Sequence, residues 1–220
     1  MIQSRLLIAA GIVLLLLGIS CAPKKGPIER THYVLEPSEG PQKLWQTSPG
    51  LLSVREFRVS PGYRGKELVY KKENGQSTQD FYNHYFISPG SMLTQATRNW
   101  LDESGLFQAV IPFDSHKDPD YILEGTVISM FGDFSDPDNP QGVLRMQFLL
   151  LKDTGMDYEL ITHRTYQANK TMSQPGAQPM IRALNQCLAE ILQSLEKDLA
   201  LAIKPDSPGL WPKITSQATF

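Results

Sequence analysis

The chain has 220 residues, with 21 Lys and Arg against 23 Asp and Glu, a formal net charge of −2. No basic stripe breaks that balance, which argues against nucleic acid as a partner. A hydrophobic content of 41% over this length suffices for one domain with its own core, and two cysteines are too few for a disulfide framework.

The first apolar run covers residues 6–19 behind Arg5. As a helix it would be roughly 21 Å long, short of the about 30 Å hydrocarbon thickness of a bilayer. A positive start, a short apolar middle and small residues at the end describe a secretory signal peptide. Gly18 and Ser20 stand just before Cys21. This stretch resembles the lipobox of bacterial lipoproteins, with Gly18 where that family has a leucine. The resemblance implies cleavage before Cys21, lipidation of its thiol and acylation of the new amino group. Several acyl chains, each buried CH₂ contributing about 0.8 kcal/mol, make a stable anchor. Cys21 is thus the expected membrane attachment. Ala22, rather than the aspartate that retains such proteins in the inner membrane of enteric bacteria, points to the outer membrane. The mature chain loses Arg5, leaving 20 basic against 23 acidic residues, or −3.

Residues 22–50 are rich in proline, glycine and lysine. They read as a tether with one short strand, "THYVLEP", placing Tyr33 and Leu35 on one side. Strands follow. In "LLSVREFRVS" (51–60) both phases are apolar, as in a central strand. "KELVYKK" (66–72) and "TQDFYNHYFIS" (78–88) are joined through Asn74 and Gly75, a hairpin signal. Ser88 and Pro89 open a helix with Leu93, Ala96, Thr97, Trp100 and Leu101 on one stripe, closed by Gly105. A strand at 106–112 precedes three more at 121–131, 142–153 and 158–170. In the second of these Leu144, Met146, Phe148 and Leu150 form one apolar face. A last helix begins near Pro179, with Met180, Leu184, Cys187, Leu188, Ile191, Leu195 and Leu199 on its stripe. Cys187 therefore reads as a core residue.

The order βββ-α-β-βββ-α predicts an α+β fold. Two amphipathic helices cover one face of a largely antiparallel sheet in a two-layer domain. The expected organisation is a signal peptide (1–20), a lipidated tether (21–50), the α+β domain (51–203) and a flexible tail (204–220). The bare sheet face leaves room for a partner or a homo-oligomer.

The stretch "LVYKKENGQSTQDFYNHYFISPGSMLTQATRNWLDESGLFQAVI" resembles the core of the ABC-type transport auxiliary lipoproteins, the PqiC-like family. The matching residues are Tyr70, Tyr82, Tyr85, Pro89, Leu93, Leu101, Ser104, Gly105, Leu106, Phe107 and Val110, in that order. Phe86 stands where that family often has a tryptophan. The resemblance implies a non-catalytic accessory of an MCE-type lipid transport system, partnered by an MCE-family periplasmic protein and its ABC transporter. A different class stays open: an envelope assembly or structural lipoprotein that activates a cell-wall enzyme or supports a secretion pore. Gene neighbourhood separates the two.

Little else carries chemistry. His32, His84, His116 and His163 are scattered, so no metal is expected. Asp133, Asp136 and Asp138 lack the spacing of a calcium loop and read as a polar hairpin. No serine sits in a nucleophile elbow and no glycine-rich phosphate loop occurs, so neither a catalytic residue nor a cofactor is assigned. The informative feature is the aromatic run Phe81, Tyr82, Tyr85 and Phe86. Alternation along a strand puts Phe81 and Tyr85 on the core side and Tyr82, His84 and Phe86 on the open side. Those three are the candidate partner-binding residues, the alternative being that a loop or the tether covers them.

Overall fold

The computed structural model describes residues 29–41, 45 and 50–203. The signal peptide, Cys21 and the tail from residue 204 lie outside the described residues. The sheet is organised around one long strand, β7 (Tyr121–Phe134). Along one edge of β7 run three short strands in succession, all parallel to it: β2 (Leu51–Val54), β3 (Arg58–Val59) and β4 (Glu67–Lys72). The other edge pairs antiparallel with β8 (Gln141–Asp153), which pairs antiparallel with β9 (Tyr158–Thr171). Beyond β4 lie β5 (Ser77–Tyr85), antiparallel to it, and β1 (Thr31–Tyr33), parallel to β5. β6 (Ala109–Ile111) pairs parallel with β2.

The helices are α1 (Pro89–Glu103) and α2 (Ala177–Ala202). Both bury their stripes in one core with the inner face of the sheet, as an α+β two-layer arrangement requires. The sheet is mixed. Its long ladders are antiparallel, while the strands lining the far edge of β7 run parallel to it.

Local sequence explains these elements. Ser88 caps α1, its hydroxyl accepting from the Ser91 N–H at 3.2 Å, with Pro89 in the first turn. Gly105 follows α1 at φ +65°, a conformation that favours glycine. On β7 the inward residues are Tyr121, Leu123, Gly125 and Val127; a bulge after Val127 then resets the phase so that Met130 and Gly132 continue inward. Leu144, Met146, Phe148 and Leu150 of β8 are fully buried, as is the α2 stripe from Met180 to Leu199. Each buried leucine contributes about 1.5–3 kcal/mol. Two glycines set how closely the layers approach. A Cβ on Gly142 would lie 2.7 Å from that of Ala183 on α2, and one on Gly125 would strike the Phe57 ring at 2.4 Å. Phe57 in turn meets Phe148 edge-on at 5.5 Å. Cys187 sits in this core as expected, 3.3 Å from the Gly142 carbonyl, and burial pushes its thiol up to about 12.

Residues 51–60 do not form one central strand. The chain leaves the ladder between β2 and β3, where Phe57 N–H donates to Thr94 Oγ1 of α1 at 2.9 Å. That break changes the phase, so Leu52 and Val54 before it and Phe57 and Val59 after it all enter the same core. Two apolar phases reflect a broken strand rather than two covered faces.

The segment ahead of β2 packs on the body. Leu35 is buried and Tyr33 packs against the core, in the phase the sequence predicts. Leu35 N–H lies 3.1 Å from Met92 Sδ, and Glu36 N–H donates to Asn185 Oδ1 at 3.1 Å. Trp45 Nε1 donates to Glu196 Oε1 at 2.7 Å, and Trp100 Nε1 donates to Glu196 Oε2 at 2.8 Å. One buried side chain on α2 thus ties down both α1 and the N-terminal segment. Glu196→Gln sets an amide NH₂ against one of those indoles. It should lower the unfolding free energy by about 1–3 kcal/mol. Urea denaturation of the full chain checks this, and an unchanged midpoint would show the clamp to be dispensable.

Candidate partner-binding surface

The aromatic run lies on β5 at a bulge. Val69 of β4 stands opposite Gln79 and Glu67 stands opposite His84, so two steps on β4 face five on β5. Asp80 holds the surplus residues. Its Oδ1 accepts the backbone N–H groups of Tyr82 at 2.8 Å and Asn83 at 3.0 Å. Its Oδ2 accepts the Tyr70 hydroxyl at 2.7 Å and the Asn83 amide at 2.9 Å. Tyr33 on β1 donates its hydroxyl to Asn83 Oδ1 at 3.2 Å, so β1, β4 and β5 share one polar network. Burial, then the bond to Asp80, pushes the Tyr70 hydroxyl up, which keeps it a donor. Desolvation pushes the Asp80 carboxyl up, but its hydrogen bonds outweigh this and hold it below the usual carboxylate value.

The bulge changes which side chains face outward. Tyr85 is buried in the core and Tyr82 is 57% exposed, both as expected. Phe81 was expected beside Tyr85 in the core, yet it is 53% exposed and meets Tyr82 edge-on at 5.2 Å. Simple alternation fails there because the turn around Asp80 interrupts it. Phe86 is 62% exposed. His84 is half-buried, and its Nε2 donates to the Phe81 carbonyl at 2.9 Å. The three residues singled out in the sequence therefore sit where β5 meets β1, with His84 bonded to the Phe81 backbone.

Sequence reasoning missed several neighbours. His32 of β1 pairs in register with His84, and its ring stands 6.2 Å from both His84 and Phe86. Arg30 lies over the Phe81 ring at 5.2 Å, and Lys66 Nζ donates to the Phe86 carbonyl at 3.1 Å. Val34 is 46% and Ile87 38% exposed close by. The parallel pairing of β1 with β5 brings Arg30, His32 and Val34 here, and local sequence carries no signal for it; Lys66 arrives beside β4, where its carbonyl accepts the Tyr85 N–H at 2.6 Å. Of the ten exposed large hydrophobic residues described, five belong to this region. Among the described residues the next group is smaller, Met156, Tyr158 and Leu160 at the β8–β9 hairpin. The hairpin aspartates are occupied by turns, Asp133 Oδ1 accepting from Ser135 N–H and Asp136 Oδ1 from Asp138 N–H.

This arrangement can grip. Amphipathic aromatics, two imidazoles and two cations surround it, a composition suited to contact with another molecule. A model of the ABC-type transport auxiliary lipoprotein component family matches residues 33–196. The chain belongs to that family. A search of curated proteins finds no match. Among solved structures, this auxiliary lipoprotein is similar to a Xanthomonas campestris protein, with 17% identity, a TM-score of 0.60 and coverage of 79% of this chain and 94% of that one. It is likewise similar to an uncharacterized protein, with 17% identity, a TM-score of 0.61 and coverage of 78% and 99%. At such identity the likeness carries the fold alone. The family match begins within β1 and ends in α2, so it includes both the exposed edge and the Glu196 clamp.

Because the folded Asp80 carboxyl titrates below its unfolded value of about 3.9, its stabilisation is present above that pH and is lost as pH falls through the folded value. Asp80→Asn should therefore flatten the acid limb of the stability profile below about pH 4. Thermal melts at stepped pH read this; an acid limb that matches the wild type would contradict it.

Proposed function

We propose that this auxiliary lipoprotein is a non-catalytic, periplasm-facing component of an MCE-type lipid transport system, held at the outer membrane through Cys21 and docked to its partner by the β1–β5 edge. The observation that carries the docking role is the exposure of Phe81, Tyr82 and Phe86 beside half-buried His84 at a sheet edge shaped by a hydrogen-bonded bulge. Folding has already fixed those side chains, so a partner that covers them gains apolar burial without first ordering a loop. The family description supplies association with an ABC-type transport system. The periplasmic MCE partner is our reading of what such an accessory meets across the envelope.

The anchor is separable from the grip. Among the described residues no helix is long and apolar enough to cross a membrane. Attachment in this reading falls to the acylated residue that begins the mature chain. Fatty acylation of Cys21 is expected to keep the protein in the membrane fraction, and Cys21→Ala to release it and abolish palmitate labelling. Labelling that persists in the variant would refute the anchor.

Docking has its own test. The double variant Tyr82→Ser, Phe86→Ser in the full chain should weaken binding to the proposed MCE-family partner by about tenfold to a hundredfold, as loss of two interface aromatics does. Both residues are exposed, so the melting temperature should stay unchanged. Undiminished affinity would overturn the surface.

A further inference from the structure

Next to the aromatic edge lies an open groove of about 390 Å³ between residues 34–40 and the exposed flank of α1. Its apolar lining comes from Val34, Leu35, Ile87, Met92, Ala96 and Trp100. Glu36, Glu39 and Glu103 also line it, and among the described residues no lysine or arginine does. All three glutamates are exposed. The walls are fixed from behind. Leu35 is buried with its N–H against Met92 Sδ, and Asn185 holds the backbone of Glu36 through its Oδ1 and of Ser38 through its carbonyl. Trp100 is pinned by Glu196 at 2.8 Å. The groove is therefore a standing feature rather than a gap under a loose strand. Val34 and Ile87 join it to Phe86, so the apolar surface continues from the sheet edge into the groove.

We infer that this groove seats a basic segment of the partner protein, one whose apolar side chain fills the floor while its lysines or arginines meet the three glutamates. Charge complementarity selects this occupant. An acidic lining repels anionic headgroups and acidic peptides, and an apolar floor gives a purely hydrophilic cationic peptide nothing to bury. Because the acidic groups are exposed, they steer and select, while the floor supplies the burial. The inference rests on the docking role proposed above and names the chemistry of what docks.

The probe is a fluorescein-labelled peptide alternating lysine with leucine around one tryptophan, titrated against the full chain by anisotropy. Two control peptides replace its lysines by glutamate or its leucines and tryptophan by serine. The basic apolar peptide should bind and both controls should not. Glu36→Gln, Glu39→Gln and Glu103→Gln together should weaken it by about tenfold, an effect that shrinks in high salt. Gln95→Trp, which fills the groove from an exposed position, should abolish binding while leaving the melting temperature intact. Failure of the basic peptide to bind, equal binding of either control, or indifference to Gln95→Trp would each overturn the inference. These results are distinguishable from failure of the docking role. If the Tyr82 and Phe86 variants lose the whole partner while Gln95→Trp retains it, the edge docks and the groove does not.

Discussion

β7 is the constraint on which the rest of the fold depends. Its fourteen residues are hydrogen-bonded along both edges, by three parallel strands on one side and by β8 on the other. Its inner face carries Tyr121, Leu123, Val127 and Met130 into the core, with Gly125 and Gly132 leaving room for what lies above. Both helices bury their apolar stripes on that face. On the opposite face β9 presents His163, Thr165, Gln167 and Asn169 to solvent, while Ile122 of β7 and Val143 of β8 are buried there. Half of the exposed large hydrophobic residues described gather at the far end of the sheet, where β1 pairs with β5.

That end is also where the chain arrives from its proposed anchor. The stretch from β1 to Trp45 does more than connect. It adds a strand, contributes Leu35 to the core and reaches Glu196 between the two helices. A load transmitted from a membrane-bound N-terminus would reach β1, and hence the exposed aromatics, before the rest of the body. The edge strand β1 and the groove wall at residues 34–40 belong to one continuous segment.

Much of this was legible in the sequence, because local periodicity dictates it. The stripes of α1 and α2 are buried residue for residue as their spacing predicts, and the β8 face from Leu144 to Leu150 is fully enclosed. The caps at Ser88 and Gly105 follow from residue type alone. What escaped were features set by pairing across the sheet. Nothing local marks residues 51–60 as two strands, since the break serves a hydrogen bond to Thr94 far along the chain. The parallel partners of β7 are invisible to alternation, which reads which face a residue takes and not which strand lies beside it. Phe81 was misplaced for a related reason: Asp80 spends its carboxyl on a turn inside what otherwise scans as an unbroken strand. Tyr82 and Phe86 are exposed as alternation predicts while His84 is half-buried, and His32, Arg30 and the groove depend on β1 returning to β5.

The central claim is that this auxiliary lipoprotein meets its partner through the β1–β5 edge and not through the bare sheet or the opposite hairpin. Site-specific photo-crosslinking in intact cells tests it most directly, with benzoylphenylalanine at position 82 or 86 and, as a control, at Met156, which is 97% exposed on the β8–β9 hairpin. The account predicts adducts with an MCE-family protein from positions 82 and 86 and none from 156. Adducts from 156 alone, or none from either edge position, would contradict it.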